Sequence, residues 1–290
     1  MGTTMQNFEG DFFKGEWREG YFVEEKMKRV WAAEIEVLNA IDEICNKNGI
    51  LYYADSGTLL GIIRHKGFIP WDNDIDIVME RDDYRRFLAV AAEECKEKGL
   101  RIVNAYSEET YDQAFTKVCT ERKKGAEERY LEKYHGCPDI VGVDVFPLDY
   151  LPSRKEEEDV LYLLLQHCMG TIWKIKKKDW AGLEKYICEI EEMCKVQIAR
   201  EKNVINQLLI LMDRLACLYS KDEADELALF MYRPDKERKY HYKKEWYAES
   251  VRMPFENITI PVPTGYRDIL RVLYGEDYMV PQHWKRDCGE

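Results

Sequence analysis

Little in this 290-residue chain points to a membrane span, a disulfide framework or a nucleic-acid partner. No stretch approaches the roughly 20 apolar residues that cross a bilayer. The longest apolar runs, residues 161–165 (LYLLL) and 208–212 (LLILM), have the length of buried helix faces. The nine cysteines are an odd count and contain no CxxC pair. With no apolar N-terminal run, they favour a reducing cytoplasm over a disulfide-built secreted domain. There is no low-complexity tract and no positive excess. A formal charge of -12 argues against a general nucleic-acid binder, which carries a basic face.

Periodicity and punctuation give the outline. Met27, Trp31, Leu38, Ile41 and Cys45 recur at helical steps, predicting a helix over 24–48, with Gly49 where a left-handed C-cap belongs. Strands are predicted over 50–54, 75–79, 101–105, 114–119 and 140–146, the last ending at Pro147. A second helix is predicted over 82–98, closed by Gly99. Residues 155–233 are rich in Leu, Glu and Lys, and 155–230 hold no proline, which predicts a helical subdomain. Residues 1–20 read as a loosely ordered arm and 21–154 as an α/β core. Residues 234–290 read as a C-terminal segment packing back on that core, with a strand over 258–262 and a helix over 266–274.

The most informative stretch is Ser56-Gly57-Thr58-Leu59-Leu60-Gly61, followed by Pro70-Trp71-Asp72-Asn73-Asp74-Ile75-Asp76-Ile77. A strand turns alternate side chains to one face, so Asp72, Asp74 and Asp76 can converge there. Like charges that close repel, and a fold tolerates them where a divalent cation neutralises them. Asp72 also suits a solvated turn; Asp76, between Ile75 and Ile77, has no turn role. Asp74 and Asp76 are therefore the primary metal candidates. A third carboxylate must come from elsewhere: Asp144, between Val143 and Val145, fits best, with Asp149 as fallback. Gly57 and Thr58 at a helix start offer backbone N–H groups and a hydroxyl to a phosphate. Arg64, His65 and Lys66, read as a basic loop, add cationic phosphate contacts. Lys117 and Arg122, on or after a strand of the same sheet, are further candidates. This set implies metal-assisted attack on a phosphorus atom, with Mg2+ the first choice of metal and Mn2+ the second.

These blocks carry a resemblance. Gly57-Thr58, Asp74-Ile75-Asp76-Ile77 and a separate strand carboxylate at Asp144 resemble the nucleotidyltransferase superfamily. The implied fold is a polymerase-β-like mixed sheet flanked by helices, with a helical insertion. More narrowly, the segments 55–61, 64–72 and 74–76, with Asp144-Val145-Phe146-Pro147-Leu148-Asp149 and residues 273–279 (LYGEDYM), look like the LicD family. One departure is Asn73, where Asp is the common residue; it points off the alternating face. The resemblance implies transfer of a phospho-substituent, such as phosphocholine, from a CDP-linked donor to a hydroxyl of a cell-surface glycan or a lipid-linked sugar precursor. The related fukutin group implies an alditol phosphate. Teichoic acid and lipopolysaccharide are the glycan classes implied. Two other readings stand beside it: nucleotidyl transfer with pyrophosphate release, and a non-catalytic nucleotide-binding protein. Three intact aspartates argue against the last.

Two further clusters hold residue types with possible functions. Lys174-Ile175-Lys176-Lys177-Lys178, flanked by Trp173 and Trp180, could meet an anionic membrane surface, which would make the protein peripheral to the inner face; a solvated helix end is the simpler account. His135, Cys137, His167 and Cys168 are metal-ligand types, but their spacing follows no finger, so they read as unrelated core and loop residues.

Overall fold

The computed structural model describes residues 5–230 and 240–281. Of the segment read as a loose arm, the described residues 5–20 are tied to the body instead. Strands β1 (Glu16–Arg18) and β2 (Tyr21–Val23) pair antiparallel. Lys28 Nζ lies 2.6 Å from Glu16, and Arg18 reaches Glu256 at 2.8 Å, so partly buried ion pairs tie the arm to the body. Helix α1 (Glu25–Asn48) is buried on most of its circumference and ends where Gly49 takes φ 62° and donates its N–H to Asn46 and Cys45 carbonyls.

Strand β3 (Tyr53–Ala54) leads into α2 (Ser56–His65); β4 (Ile75–Glu80) runs directly into α3 (Arg81–Glu97). After β5 (Leu100–Val103) and β6 (Thr116–Thr120) comes a short helix, α4 (Glu127–Lys133), and then β7 (Gly142–Tyr150). The central strand order is β3-β4-β7-β6-β5. β4 and β7 are parallel and the other pairs antiparallel. The result is an α/β core, as the alternation of strand and helix signals predicts, built on a mixed sheet flanked by helices, as the resemblance implies. β7 does not stop at Pro147 as expected: Pro147 sits opposite Met79 inside the ladder. Its pairing with β6 ends at Val145, so along that edge a missing N–H costs no ladder bond.

Helices α5 (Lys155–Lys176), α6 (Leu183–Cys194) and α7 (Val204–Ala216) build a second apolar cluster from Leu161, Leu165, Ile172, Ile190, Leu208 and Met212. Strands β8 (Glu226–Ala228) and β9 (His241–Lys243) extend the sheet from the far end of β7. Hairpin β10 (Ser250–Phe255)–β11 (Ile258–Pro263) and helix α8 (Tyr266–Tyr274) return Phe255, Ile260, Ile269 and Leu270 to the main core.

Candidate functional site

The parallel pairing of β4 with β7 sets Asp76 directly opposite Asp144, and the antiparallel pairing of β7 with β6 sets Asp144 opposite Lys117. Residues in register on adjacent strands share a face, so these three side chains form one row across the sheet. Lys117 Nζ lies 2.8 Å from Asp144 Oδ1. Ile75, Ile77, Val143 and Val145 alternate with the row and are fully buried on the opposite face. Asp74 precedes the first residue of β4 and is exposed.

Helix α2 fixes Asp76 from the side. The Asp76 N–H donates to Thr58 Oγ1 at 2.9 Å, and the Asp55 N–H donates to the Asp76 carbonyl at 3.1 Å. The buried Thr58 hydroxyl thus holds β4 against the first turn of α2. Ser56, where that turn begins, adopts φ 46°, an uncommon conformation for a residue with a side chain. A Cβ on Gly57 would stand 2.5 Å from Asp72 Oδ2, so glycine is what lets the Asp72 carboxylate lie against the helix start. The Asp72 carbonyl is anchored by the Trp31 indole N–H at 2.8 Å.

Charge in this region is lopsided. Asp76 keeps part of its surface open but is crowded by protein. Burial first, then the charges of Asp74, Asp144, Asp55 and Asp72, push its carboxyl well above the usual range. Asp144 is raised by burial too, with the Lys117 pair opposing and Asp74 adding. Burial pulls the Lys117 ammonium down, but its pair with Asp144 outweighs that and the net direction is up. The sequence reading missed Glu34. Buried on α1, it feels Asp74, Asp144 and Asp72; burial and those charges drive its carboxyl far up, and its Oε2 has no hydrogen-bond partner. Glu34 falls on the stripe of Trp31, Leu38, Ile41 and Cys45, so a carboxylate on an apolar face was the available signal.

Other candidates lie apart from this row. Asp149 is fully buried and bonded to Arg81 Nε at 2.5 Å, with Arg81 also 2.7 Å from Asp213. It serves a structural ion pair, which leaves Asp144 as the carboxylate beside Asp76. The expected basic loop is the last turn of α2 and its cap. Arg64 bonds His65 at 2.8 Å and the Tyr278 carbonyl at 3.0 Å; His65 lies 3.2 Å from Glu19; exposed Lys66 is the left-handed cap residue. Arg64 is six residues from Thr58, about 9 Å along the helix, so the two phosphate candidates mark opposite ends of α2. Arg122 bonds the Pro138 carbonyl at 3.2 Å on the exposed side. His135 pairs with Glu36 at 2.7 Å and His167 with Glu189 at 3.0 Å, far from any common centre.

A divalent metal is what the acidic row implies, and hard carboxylate oxygens in register suit one. As placed, though, no group of three or more His, Cys, Asp or Glu side chains among the described residues stands close enough to hold an ion. The fit is one of charge, donor type and strand register. A cleft of about 750 Å³ between Lys47, Lys98, Arg129 and Tyr134 lies away from the row, and three of its basic residues, Lys47, Lys98 and Lys123, are already paired with glutamates. The row, rather than that cleft, has the chemistry.

Residues 49–138 match the LicD/FKTN/FKRP nucleotidyltransferase domain, a span that includes Gly57, Thr58, Asp74, Asp76 and Lys117 and stops six residues short of Asp144. The chain is 27% identical over 254 residues to the lipopolysaccharide cholinephosphotransferase LicD of Haemophilus influenzae, covering 84% of this chain and 88% of that protein. An uncharacterized protein of Rickettsia typhi is 36% identical over 113 residues, 35% of this chain and 36% of its own length. One from Rickettsia prowazekii is 44% identical over 48 residues, 17% of this chain and 18% of its own. Over residues 49–138, about a third of its length, the chain is thus similar to a LicD-type nucleotidyltransferase domain.

Proposed function

We propose that this chain is a transferase of phosphorus-containing groups. On this reading it moves phosphocholine or a similar phospho-substituent from a CDP-linked donor to a hydroxyl of a cell-surface glycan or its precursor. The observation that carries the reading is the row Asp76–Asp144–Lys117 on three adjacent strands, with Asp74 beside it. The similarity to a cholinephosphotransferase over most of both chains supports the choice of group.

Magnesium, with manganese as substitute, would be held by Asp74, Asp76 and Asp144, whose carboxylates would have to draw closer together than they stand here. When bound it supplies the positive charge that offsets the equatorial and leaving oxygens. The remaining work falls to the chain. Thr58 and the Asp55 N–H pin the Asp76 backbone, so its carboxylate direction is set before substrate arrives. Asp144, opposite Asp76 on the neighbouring strand, would act on the attacking hydroxyl as metal ligand or as general base. Lys117 has a partly exposed ammonium that can turn from Asp144 to a donor phosphate oxygen.

Among the described residues no helix is long and apolar enough to cross a membrane. A lipid-linked acceptor would be met at the surface. Trp173 and Trp180 are exposed, and Lys177 lies 5.8 Å over the Trp173 ring, which suits a peripheral contact with anionic headgroups.

A panel of CDP-linked donors incubated with magnesium and acceptor glycan tests the proposal. CMP release with label appearing in the glycan supports it. Pyrophosphate release from a nucleoside triphosphate would instead favour nucleotidyl transfer, the alternative that the matched domain's description keeps in view.

A further inference from the structure

The segment between β5 and β6, residues 104–115, belongs to the catalytic sheet in sequence but is held by the helical subdomain. The Tyr106 hydroxyl donates to Asp213 of α7 at 2.8 Å, and Asn206 of α7 donates to the Ala105 carbonyl at 2.6 Å. Asn203, which caps α7, donates to the Glu109 carbonyl at 2.7 Å, and Lys176 at the end of α5 lies 2.8 Å from the Asp112 carboxylate. Four separate side chains thus fix one connection.

What they fix is an aromatic wall. The Tyr111 ring meets Phe115 edge-on at 6.3 Å, and Phe115 packs on Phe146 at 4.6 Å. Phe146 lies two residues after Asp144 on β7, so the two share a face of the sheet. Tyr111 and Phe115 are only half-buried, while Phe146 is 4% exposed and backs them. The Tyr111 hydroxyl is enclosed yet has no hydrogen-bond partner. A tyrosine used purely for packing normally places its hydroxyl on a partner. Through Phe115 and Phe146 the ring is joined to the face of β7 that carries Asp144. Asp144 itself belongs to a cluster in which Glu34 feels Asp74, Asp144 and Asp72, and the Lys117 ammonium there is paired with Asp144.

A quaternary ammonium has fixed charge and no N–H to donate, so hydrogen bonds cannot select it; aromatic faces near carboxylates can. We propose that Tyr111 and Phe115, backed by Phe146 and held in place by the helical subdomain, form the wall that receives the quaternary ammonium head of the transferred group. This rests on the proposed function for its choice of ligand. The helical subdomain would then set head-group specificity from outside the nucleotidyltransferase domain.

Calorimetry with phosphocholine and phosphoethanolamine tests it, because the two differ only in the head. The wild-type protein should bind phosphocholine about tenfold more tightly. Tyr111→Leu should erase that preference, whereas Tyr111→Phe, which keeps the ring, should retain it. Should Tyr111→Leu fail to fold, the double variant Asn203→Ala/Lys176→Ala, which releases the loop but leaves the rings, should weaken the preference several-fold. No preference in the wild type, or a preference that survives Tyr111→Leu or loop release, would overturn the assignment. CMP release is scored separately. A Tyr111-dependent preference in a protein that never releases CMP would sink the proposed reaction and leave the wall standing.

Discussion

Asp76→Asn removes one charge from the acidic row while preserving shape, and its effect can be worked from the register. Asp76 and Asp144 are directly opposed on neighbouring strands, which lie about 4.8 Å apart. Two unit charges roughly 5 Å apart repel by about 3 kcal/mol at an effective dielectric near 20, and by about 0.8 kcal/mol in bulk water. Lys117 offsets part of this and the row is partly open, so a net gain of about 1–2 kcal/mol is the reasonable figure. For a chain of this size each kcal/mol moves the melting temperature by about 2–4 °C. In EDTA at pH 8 the variant should therefore melt about 2–8 °C above the wild type. The sign with pH follows from the raised carboxyl of folded Asp76. The folded state holds this proton to higher pH than the unfolded chain, so wild-type stability falls as pH rises through that range. The advantage of the variant should shrink on acidification, as Asp76 takes up its proton. Magnesium should raise the melting temperature of the wild type and do less for the variant, since a ligand stabilises only the state that binds it. Turnover should be lost. Scanning calorimetry at two pH values, with and without magnesium, reads the stability changes, and a CMP-release assay reads turnover. A variant that melts below the wild type in EDTA at pH 8, or that keeps turnover, would show that Asp76 is not part of a repelling catalytic cluster.

Lys117→Met should lower stability by about 1–2 kcal/mol, because the pair is partly exposed. It should leave magnesium binding intact or tighter, since Asp144 loses its competitor, while donor turnover falls; calorimetry with magnesium separates the two. Gly57→Val should drive the new side chain into Asp72, cost about 1–3 kcal/mol and cut donor affinity, and adding Asp72→Ala should recover much of the stability. A double-mutant cycle showing no coupling between positions 57 and 72 would refute that contact. Arg81→Met should be the most damaging substitution, at about 3–5 kcal/mol in chemical denaturation, because it strands the fully buried Asp149.

Legibility varied with how local the cause was. Asp76 could be read as a site residue because a strand's period of two, with isoleucines on both sides, leaves a carboxylate no ordinary reason to be there. Its pairing with Asp144 needed the sheet order, which sequence spacing does not give. The cap at Gly49 was legible from backbone preference alone. The basic run at 64–66 was misread as a loop because its helical state depends on tertiary docking. The turn at Glu256 donates its N–H to the Lys66 carbonyl and lies so close to Gly67 that a Cβ there would meet its carboxylate. Likewise the N-terminal arm looked loose by composition, while ion pairs to residues as distant as Glu256 hold it.

The corrected helix end changes what α2 can contribute. Its N-terminal turn offers backbone N–H groups, and a phosphate there would gain from the helix dipole. The Asp72 carboxylate already lies against Gly57, however, so that end carries a negative charge before any ligand arrives. A dianionic phosphate would meet repulsion from Asp72 as well as from the row. Two changes relieve it: a cation neutralises the aspartates, or Asp72 swings away from the glycine. In either case donor affinity depends on how the acidic row is charged, and the helix start cannot act as an independent phosphate site. Arg64 sits about 9 Å away along α2 and is engaged by His65 and Tyr278. It can serve only the far part of a donor, or fix the C-terminal segment. Hence Arg64→Lys should disturb the packing of that segment more than it disturbs binding at the aspartates.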